Sequence, residues 1–450
     1  MSFAPEDRFV RQALGLPGGD TTRYAAVQTD TRALVPGALF VALVGERFDG
    51  HDYLEAARDA GATAAVVRRG PPPVDGLRLL EIDDTLRAYG DLARARRRTI
   101  AGPVVAITGQ NGKTSTKEMM AAVVATRWRV HRTRANNNNL VGVPLTILEA
   151  PADVEALVIE AGANLPGEIG RYREIIEPDI SIVTNAGAGH LEGFGTVAGV
   201  VREKLALTRD VPLAIVGVAP DTLAAGARER GAKRVQTAGL EGAELVPEAV
   251  AIEPDGRVRV TVDGRSFTLA ARGRHQAGNA MFAWAVVREL GIDPDAAAAA
   301  LERFTLPGGR GEFSEHGGLS ILNDGYNANP ESFRAAIALA RELRGTRRLV
   351  FVAGTMKELG DASTELHEDI AAELAALAPE VLALVGEFVP AFATRRAAFA
   401  GRLLEALDAD TMGPQLAAEL RGDELVVLKG SRGAALERIL PAILSRVSTA

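Results

Sequence analysis

Val104-Val105-Ala106-Ile107-Thr108, followed by Gly109-Gln110-Asn111-Gly112-Lys113-Thr114-Ser115 and then a segment of helical period over Lys117–Thr126, is the stretch on which the fold turns. Five apolar or β-branched residues without alternation predict a strand buried on both faces, as in a parallel sheet. The loop then supplies what a phosphate cradle needs. Glycines let backbone N–H groups approach an anion, and the N-terminus of the next helix adds partial positive charge. Lys113 can neutralise β- and γ-phosphate oxygens, and the Thr114 hydroxyl can ligate magnesium. The spacing departs from the general G-x-x-x-x-G-K-[ST] pattern: Ile107 stands where the first Gly would be, and Gly109 comes two residues later. The plain alternative is an ordinary strand-to-helix turn that carries a lysine.

Two neighbouring strands extend the reading. Ala156–Ile159 ends in Glu160, and a carboxylate at a strand end beside a phosphate loop can hold magnesium. Ile180–Thr184 ends in Asn185-Ala186-Gly187-Ala188-Gly189-His190, which brings His190 to the same sheet edge. Ligands of open α/β sheets bind at that edge. The bland readings are a solvated strand-end Glu and a loop His.

The same alternation of apolar strand and helix continues along the chain, with further strands over Leu349–Val352, Val381–Val385 and Leu425–Leu428. Helices are expected over Asn279–Leu290, Ser332–Leu343 and Leu366–Leu377. The fold class is therefore α/β with mostly parallel sheets. At 450 residues the chain has room for about three domains. The basic run Arg94–Arg98 reads as a linker, and Leu306-Pro307-Gly308-Gly309 as a breaker cluster, giving domains over 1–98, 99–308 and 309–450. Val246–Leu269 alternates around Asp255-Gly256 and Asp263-Gly264 and predicts an antiparallel excursion of the central domain.

Composition narrows the chemistry. With no cysteine, disulfides, thiolate catalysis and Cys-based metal sites are excluded. A formal charge of −7 disfavours general nucleic-acid binding. The N-terminal stretch lacks an apolar signal region, and no run of about 18 uncharged apolar residues occurs. A soluble, cytoplasmic protein without a membrane span is expected.

Taken in order, several stretches resemble the ATP-dependent Mur ligases: Thr108–Ser115, the strand end at Glu160, Asn185–Gly195, Gly273–Asn279, Asn323–Pro330 and Lys429–Gly433. Ala135–Leu148, His190–Gly195, Asp324–Pro330 and Gly354–His367 are most similar to the branch that adds D-alanyl-D-alanine to UDP-N-acetylmuramoyl-tripeptide. Thr29–Arg32, Pro36–Leu43 and Arg47–His51 agree with it. The resemblance implies a small N-terminal α/β domain for the UDP-sugar peptide, a central P-loop ATPase domain and a C-terminal Rossmann-like domain that closes over both. It implies an amide ligase of peptidoglycan precursor synthesis that works through an acyl phosphate. It also implies a monomer.

The resemblance further implies roles residue by residue. Gly109, Asn111, Gly112, Lys113, Thr114 and Ser115 would cradle ATP. Thr114 and Glu160 would hold one Mg²⁺. His190 would help hold a second, with Lys204 carried as a carbamate. Lys113, Glu160, His190 and Lys204 form the implied catalytic set. Asn279 would meet the adenine, Asp324 the ribose and Arg310 the γ-phosphate; the residue-level alternatives are a helix cap, a turn residue and a surface arginine. Asn136, Asn138 and Asn139 would face the peptide, and Asn327 and Asn329 the closed cleft, where ordinary polar turns are the alternative. Lys429, Ser431 and Arg432 would take the carboxylate of the incoming dipeptide, with a solvated basic turn as the alternative. Asp30 and Arg32, with the loop Gly45–His51, would meet the uridine diphosphate; arginine binds phosphate as a planar fork.

Three positions depart from the family pattern: Gln276 where Asn is usual, Ala206 where an acid often follows Lys204, and Thr355 where Asp is common. They motivate the alternative of a sister ligase that adds a different amino acid or amine. A non-catalytic nucleotide-binding scaffold is the third reading, and intact Lys113, Glu160, His190 and Lys204 speak against it.

Overall fold

The computed structural model describes residues 3–45, 48–189 and 191–448. Four sheets organise them. The first is parallel, with β1 (Val27–Gln28), β2 (Leu39–Val41), β3 (Ala64–Arg68) and β4 (Arg78–Ile82) in chain order. The second holds β5 (Val104–Thr108), β6 (Val130–Arg132), β7 (Ala156–Glu160), β8 (Ile180–Val183), β9 (Leu213–Val216) and β10 (Arg234–Thr237). All its pairings are parallel, in the spatial order β10-β9-β8-β5-β7-β6. Every residue of β5, β7, β8 and β9 is buried, as expected for strands covered on both faces.

The expected antiparallel excursion is present as β11 (Ala249–Ile252), β12 (Arg257–Val262) and β13 (Arg265–Arg272). Asp263 and Gly264 join the last two with φ of 52° and 67°, the backbone of a two-residue hairpin turn. Alternation buries Val258, Val260 and Val262 against the helix His275–Leu290, where Trp284 stacks on Phe267 at 5.4 Å. The fourth sheet contains β14 (Glu312–His316), β15 (Leu319–Asp324), β16 (Leu349–Gly354), β17 (Val381–Val385), β18 (Arg402–Ala406) and β19 (Leu425–Lys429). Its order is β14-β15-β19-β16-β17-β18, with only β14 antiparallel.

The basic run Arg94–Arg98 is not a linker. It forms the end of the helix Thr85–Arg97, capped at its start by the Asp84 side chain. Arginine suits the last turn of a helix, where the dipole favours cations. Here the arginines also have partners across a domain joint. Arg94 Nε and Arg98 Nη2 donate to Glu177 Oε1, each at 2.7 Å, and Arg97 Nη2 donates to the Glu177 carbonyl at 2.8 Å. Among the described residues no helix is long and apolar enough to cross a membrane.

Candidate active site

The strand order β8-β5-β7 brings three strand ends to one edge. Ile107 pairs with Glu160, and Thr108 with Val183. The phosphate loop therefore leaves the sheet between the Glu160 end and the Thr184-Asn185 end. The following helix starts at Lys113, four residues earlier than its period predicts, with Gly112 before it at φ 78°. This places the backbone N–H groups of Lys113, Thr114 and Ser115 in the first helical turn, where they have no partner within the helix.

Side chains fix the loop. Asn111 N donates to Asn185 Oδ1 at 2.8 Å, and the Thr184 hydroxyl donates to the Asn111 carbonyl at 2.6 Å. Gln110 N donates to the Asn185 carbonyl at 3.0 Å. Lys113 Nζ donates to the carbonyls of Gly109 and Gln110 at 2.9 and 3.0 Å, so the amine curls over the loop it follows. Burial pulls the Lys113 pKa down; Glu160 and Glu358 oppose that pull, and Arg310 adds to it.

Glu160 is buried. Its Oε1 accepts from Asn138 Nδ2 at 2.9 Å, while Oε2 is buried with no hydrogen-bond partner among the described residues. Beside it, Thr114 is buried in the first turn. Among the described residues no cluster of three or more His, Asp and Glu could hold a metal by itself. Glu160, Thr114 and the oxygens of a bound phosphate are the hard donors that magnesium takes. Lys204 ends the helix Val197–Lys204. Its Nζ is fully buried without a hydrogen-bond partner among the described residues, 5.7 Å from the centre of the Phe194 ring. Burial, aided by Lys113, brings its pKa down to about 7. His190 lies outside the described residues.

The loop opens on a cleft of about 550 Å³ shared by the central and C-terminal domains. Asn136, Asn138 and Asn139 line one side; Arg310, Asp324 and Asn327 line the other. Asn139 Oδ1 also accepts from Val141 N at 3.1 Å and Gly142 N at 2.8 Å, where the helix Gly142–Leu148 begins. Asn279 is not a helix cap: it lies one turn inside His275–Leu290, with Nδ2 donating to Gln276 Oε1 at 3.0 Å. Asn329 caps Pro330–Arg344, and its Nδ2 donates to Asn111 Oδ1 at 2.7 Å, a direct bond from the C-terminal domain to the phosphate loop.

The turn after β19 divides. Lys429 Nζ is buried and donates to Asp324 Oδ2 at 2.6 Å and to the Asn327 carbonyl at 2.9 Å. Ser431 Oγ accepts from Lys357 N at 2.9 Å. Arg432 alone of the three is exposed. Asp30 and Arg32 stand apart from the cleft lining, as an exposed ion pair at 2.6 Å in which Asp30 also caps Thr31–Ala33. Sequence reasoning did not single out Thr184, Asn185 or Tyr326. Position after a strand of the same sheet was the available signal for the first two.

Fold and site together define a P-loop nucleotide-binding protein whose phosphate cradle faces a second α/β domain. Family models match nearly end to end: "Mur ligase family, catalytic domain" over residues 23–97, "Mur ligase middle domain" over 107–287 and "Mur ligase, glutamate ligase domain" over 309–432. The chain belongs to the Mur ligase family. It is 37% identical over 371 residues to the UDP-N-acetylmuramoyl-tripeptide–D-alanyl-D-alanine ligase of Bacillus subtilis, covering 81% of this chain and 80% of that one. Its structure resembles crystal structure I of MurF from Acinetobacter baumannii with a TM-score of 0.90 at 29% identity, covering 99% of each chain. It also resembles MurF of Thermotoga maritima in complex with ADP, with a TM-score of 0.82 at 27% identity, covering 94% of this chain and 98% of that one.

Proposed function

We propose that this chain joins D-alanyl-D-alanine to UDP-N-acetylmuramoyl-tripeptide, with cleavage of ATP to ADP and phosphate, in the synthesis of peptidoglycan precursors. One observation carries the reading: the Lys113 phosphate loop, Arg310 of the C-terminal domain and the Asn136–Asn139 loop face a single cleft. Residues 1–98 would bind the UDP-sugar end, with Asp30 and Arg32 near the diphosphate. Residues 99–308 would bind ATP, and residues 309–450 would complete the cleft.

A carboxylate is a poor electrophile, so the reaction activates it first. A carboxylate oxygen of the tripeptide attacks the γ-phosphorus, the bond from that phosphorus to the β,γ-bridging oxygen breaks, and ADP leaves. The amine nitrogen of the dipeptide then attacks the acyl carbon, the tetrahedral adduct expels phosphate, and the nitrogen loses a proton. Each stage concentrates negative charge, and fixed cations and N–H donors stabilise it most where water is excluded. The free N–H groups after Gly112, with Lys113 and Arg310, supply those donors. On this reading Asn279 orients the adenine and Asp324, held by Lys429, the ribose. Arg432 receives the dipeptide carboxylate from the exposed turn, while Ser431 shapes that turn and Asn327 and Asn329 its cleft side.

Glu160 and Thr114 fit magnesium, since Glu160 Oε2 is buried and unpartnered. Bound magnesium would neutralise charge on the β- and γ-phosphates. A second ion would be held by His190 and by Lys204 as a carbamate, as the resemblance implies. The Lys204 amine suits that modification: with a pKa near 7 much of it is uncharged at neutral pH, and only the uncharged amine adds CO₂.

The test is phosphate release by the purified protein with Mg·ATP, the UDP-linked tripeptide and D-alanyl-D-alanine, omitting one component at a time. The reading expects release only with all present. Release with another amine and not with the dipeptide selects a sister ligase; no release with any amine rejects the ligase.

A further inference from the structure

Two arginines of the C-terminal domain share one aromatic ring. The guanidinium carbon of Arg310 lies 3.9 Å from the centre of the Tyr326 ring, and that of Arg432 lies 5.2 Å from it. Neither arginine forms an ion pair among the described residues, and Arg310 Nε is buried without a hydrogen-bond partner. The arrangement is built into the sheet. β15 and β19 run side by side with Asp324 opposite Lys429, so the turn bearing Tyr326 and the turn bearing Arg432 leave the same edge. Tyr326 N also donates to the Gly309 carbonyl at 3.1 Å, which ties the ring to the residue before Arg310.

The choice of a ring has a consequence. A carboxylate would fix Arg310 equally well, but it would occupy the guanidinium fork and repel an incoming phosphate. A ring face attracts the cation through its quadrupole and leaves the N–H donors available. It also offsets the mutual repulsion of two guanidinium groups brought to one ring. Arg310 lines the same cleft as Lys113, and its charge is felt at the Lys113 amine. Arg310 is thereby left free to meet a phosphate in that cleft, and Arg432, exposed on the neighbouring turn, to meet a second anionic group.

We propose that Tyr326 is a positioning residue whose ring face aims Arg310 at the terminal phosphate of a bound nucleoside triphosphate and holds Arg432 beside it. The inference rests on the nucleotide-cleaving reading above, but not on the identity of the amine. The test compares the affinities of Mg·AMP-PNP and Mg·ADP for the full chain carrying Tyr326, Tyr326→Phe, Tyr326→Leu or pentafluorophenylalanine at 326. The fluorinated ring keeps the shape and reverses the charge of the face, so it decides the matter even if the Leu variant fails to fold.

Loss of an attractive face weakens AMP-PNP binding on the order of tenfold in the Leu and fluorinated variants. ADP binding changes by less than about twofold, and Phe retains both affinities. The proposal is overturned if the fluorinated variant binds AMP-PNP as the parent does, if Phe is as impaired as Leu, or if both nucleotides weaken equally. A parent protein that binds neither nucleotide overturns the underlying reading instead.

Discussion

Lys204 places an amine in the interior without a hydrogen-bond partner among the described residues, and burial brings its pKa from 10.5 to about 7. The unfolded chain holds this proton up to the ordinary lysine value, whereas the folded chain releases it near 7. Between those values the unfolded state binds more protons, so this group makes stability rise with pH. Denaturant unfolding in CO₂-free buffer from pH 7 to 10 should therefore show a gain that Lys204→Met abolishes. An equal slope in both proteins would contradict the buried amine. Single residues were unevenly readable beforehand. Lys113 and Glu160 declare themselves through a loop and a strand end. Lys204 sits on a helix face, where a solvated lysine is the ordinary expectation; only its tertiary surroundings reveal the burial. Lys429 lines the cleft, as expected of a residue that faces substrate, but the partners distant in sequence that also hold it and Ser431 could not be read beforehand.

The phosphate loop shows the same contrast one level up. Strand, glycine loop and helix were readable because each is a local pattern, but the pins from Thr184 and Asn185 come from a different strand. Gly112 is constrained twice: its φ is 78°, and an added Cβ would lie 2.3 Å from Asn279 Oδ1. Gly112→Ala should lower ADP affinity at least about tenfold through displacement of Asn279, with a stability cost of about 1–2 kcal/mol from the left-handed backbone. Calorimetric titration and thermal unfolding measure the two effects. Unchanged ADP affinity would show that the loop does not need this glycine. The helix Thr85–Arg97 was misread at its end because a run of arginines has the composition of a linker. Arg94, Arg97 and Arg98 are held by Glu177 and Asp179, some eighty residues away, and no local pattern announces that.

At the scale of the whole molecule, Glu177 joins the first two domains. Arg98 and Arg94 hold its carboxyl at about 2, against an ordinary 4.5. The stabilisation is present above the ordinary value and is lost as pH falls toward 2. Glu177→Gln should lower the thermal midpoint at pH 7, and the difference should shrink steadily below pH 4.5; a constant difference would mean that charge is not what joins the domains. The third domain meets the phosphate loop through Asn329 and Asn111, and residues of both domains line one cleft. The central claim, that this cleft activates a carboxylate by phosphorylation, is most directly tested with tripeptide substrate labelled with ¹⁸O in its terminal carboxylate. One ¹⁸O in each phosphate released, coupled to amide formation, is the predicted result. Unlabelled phosphate accompanying amide formation would contradict it.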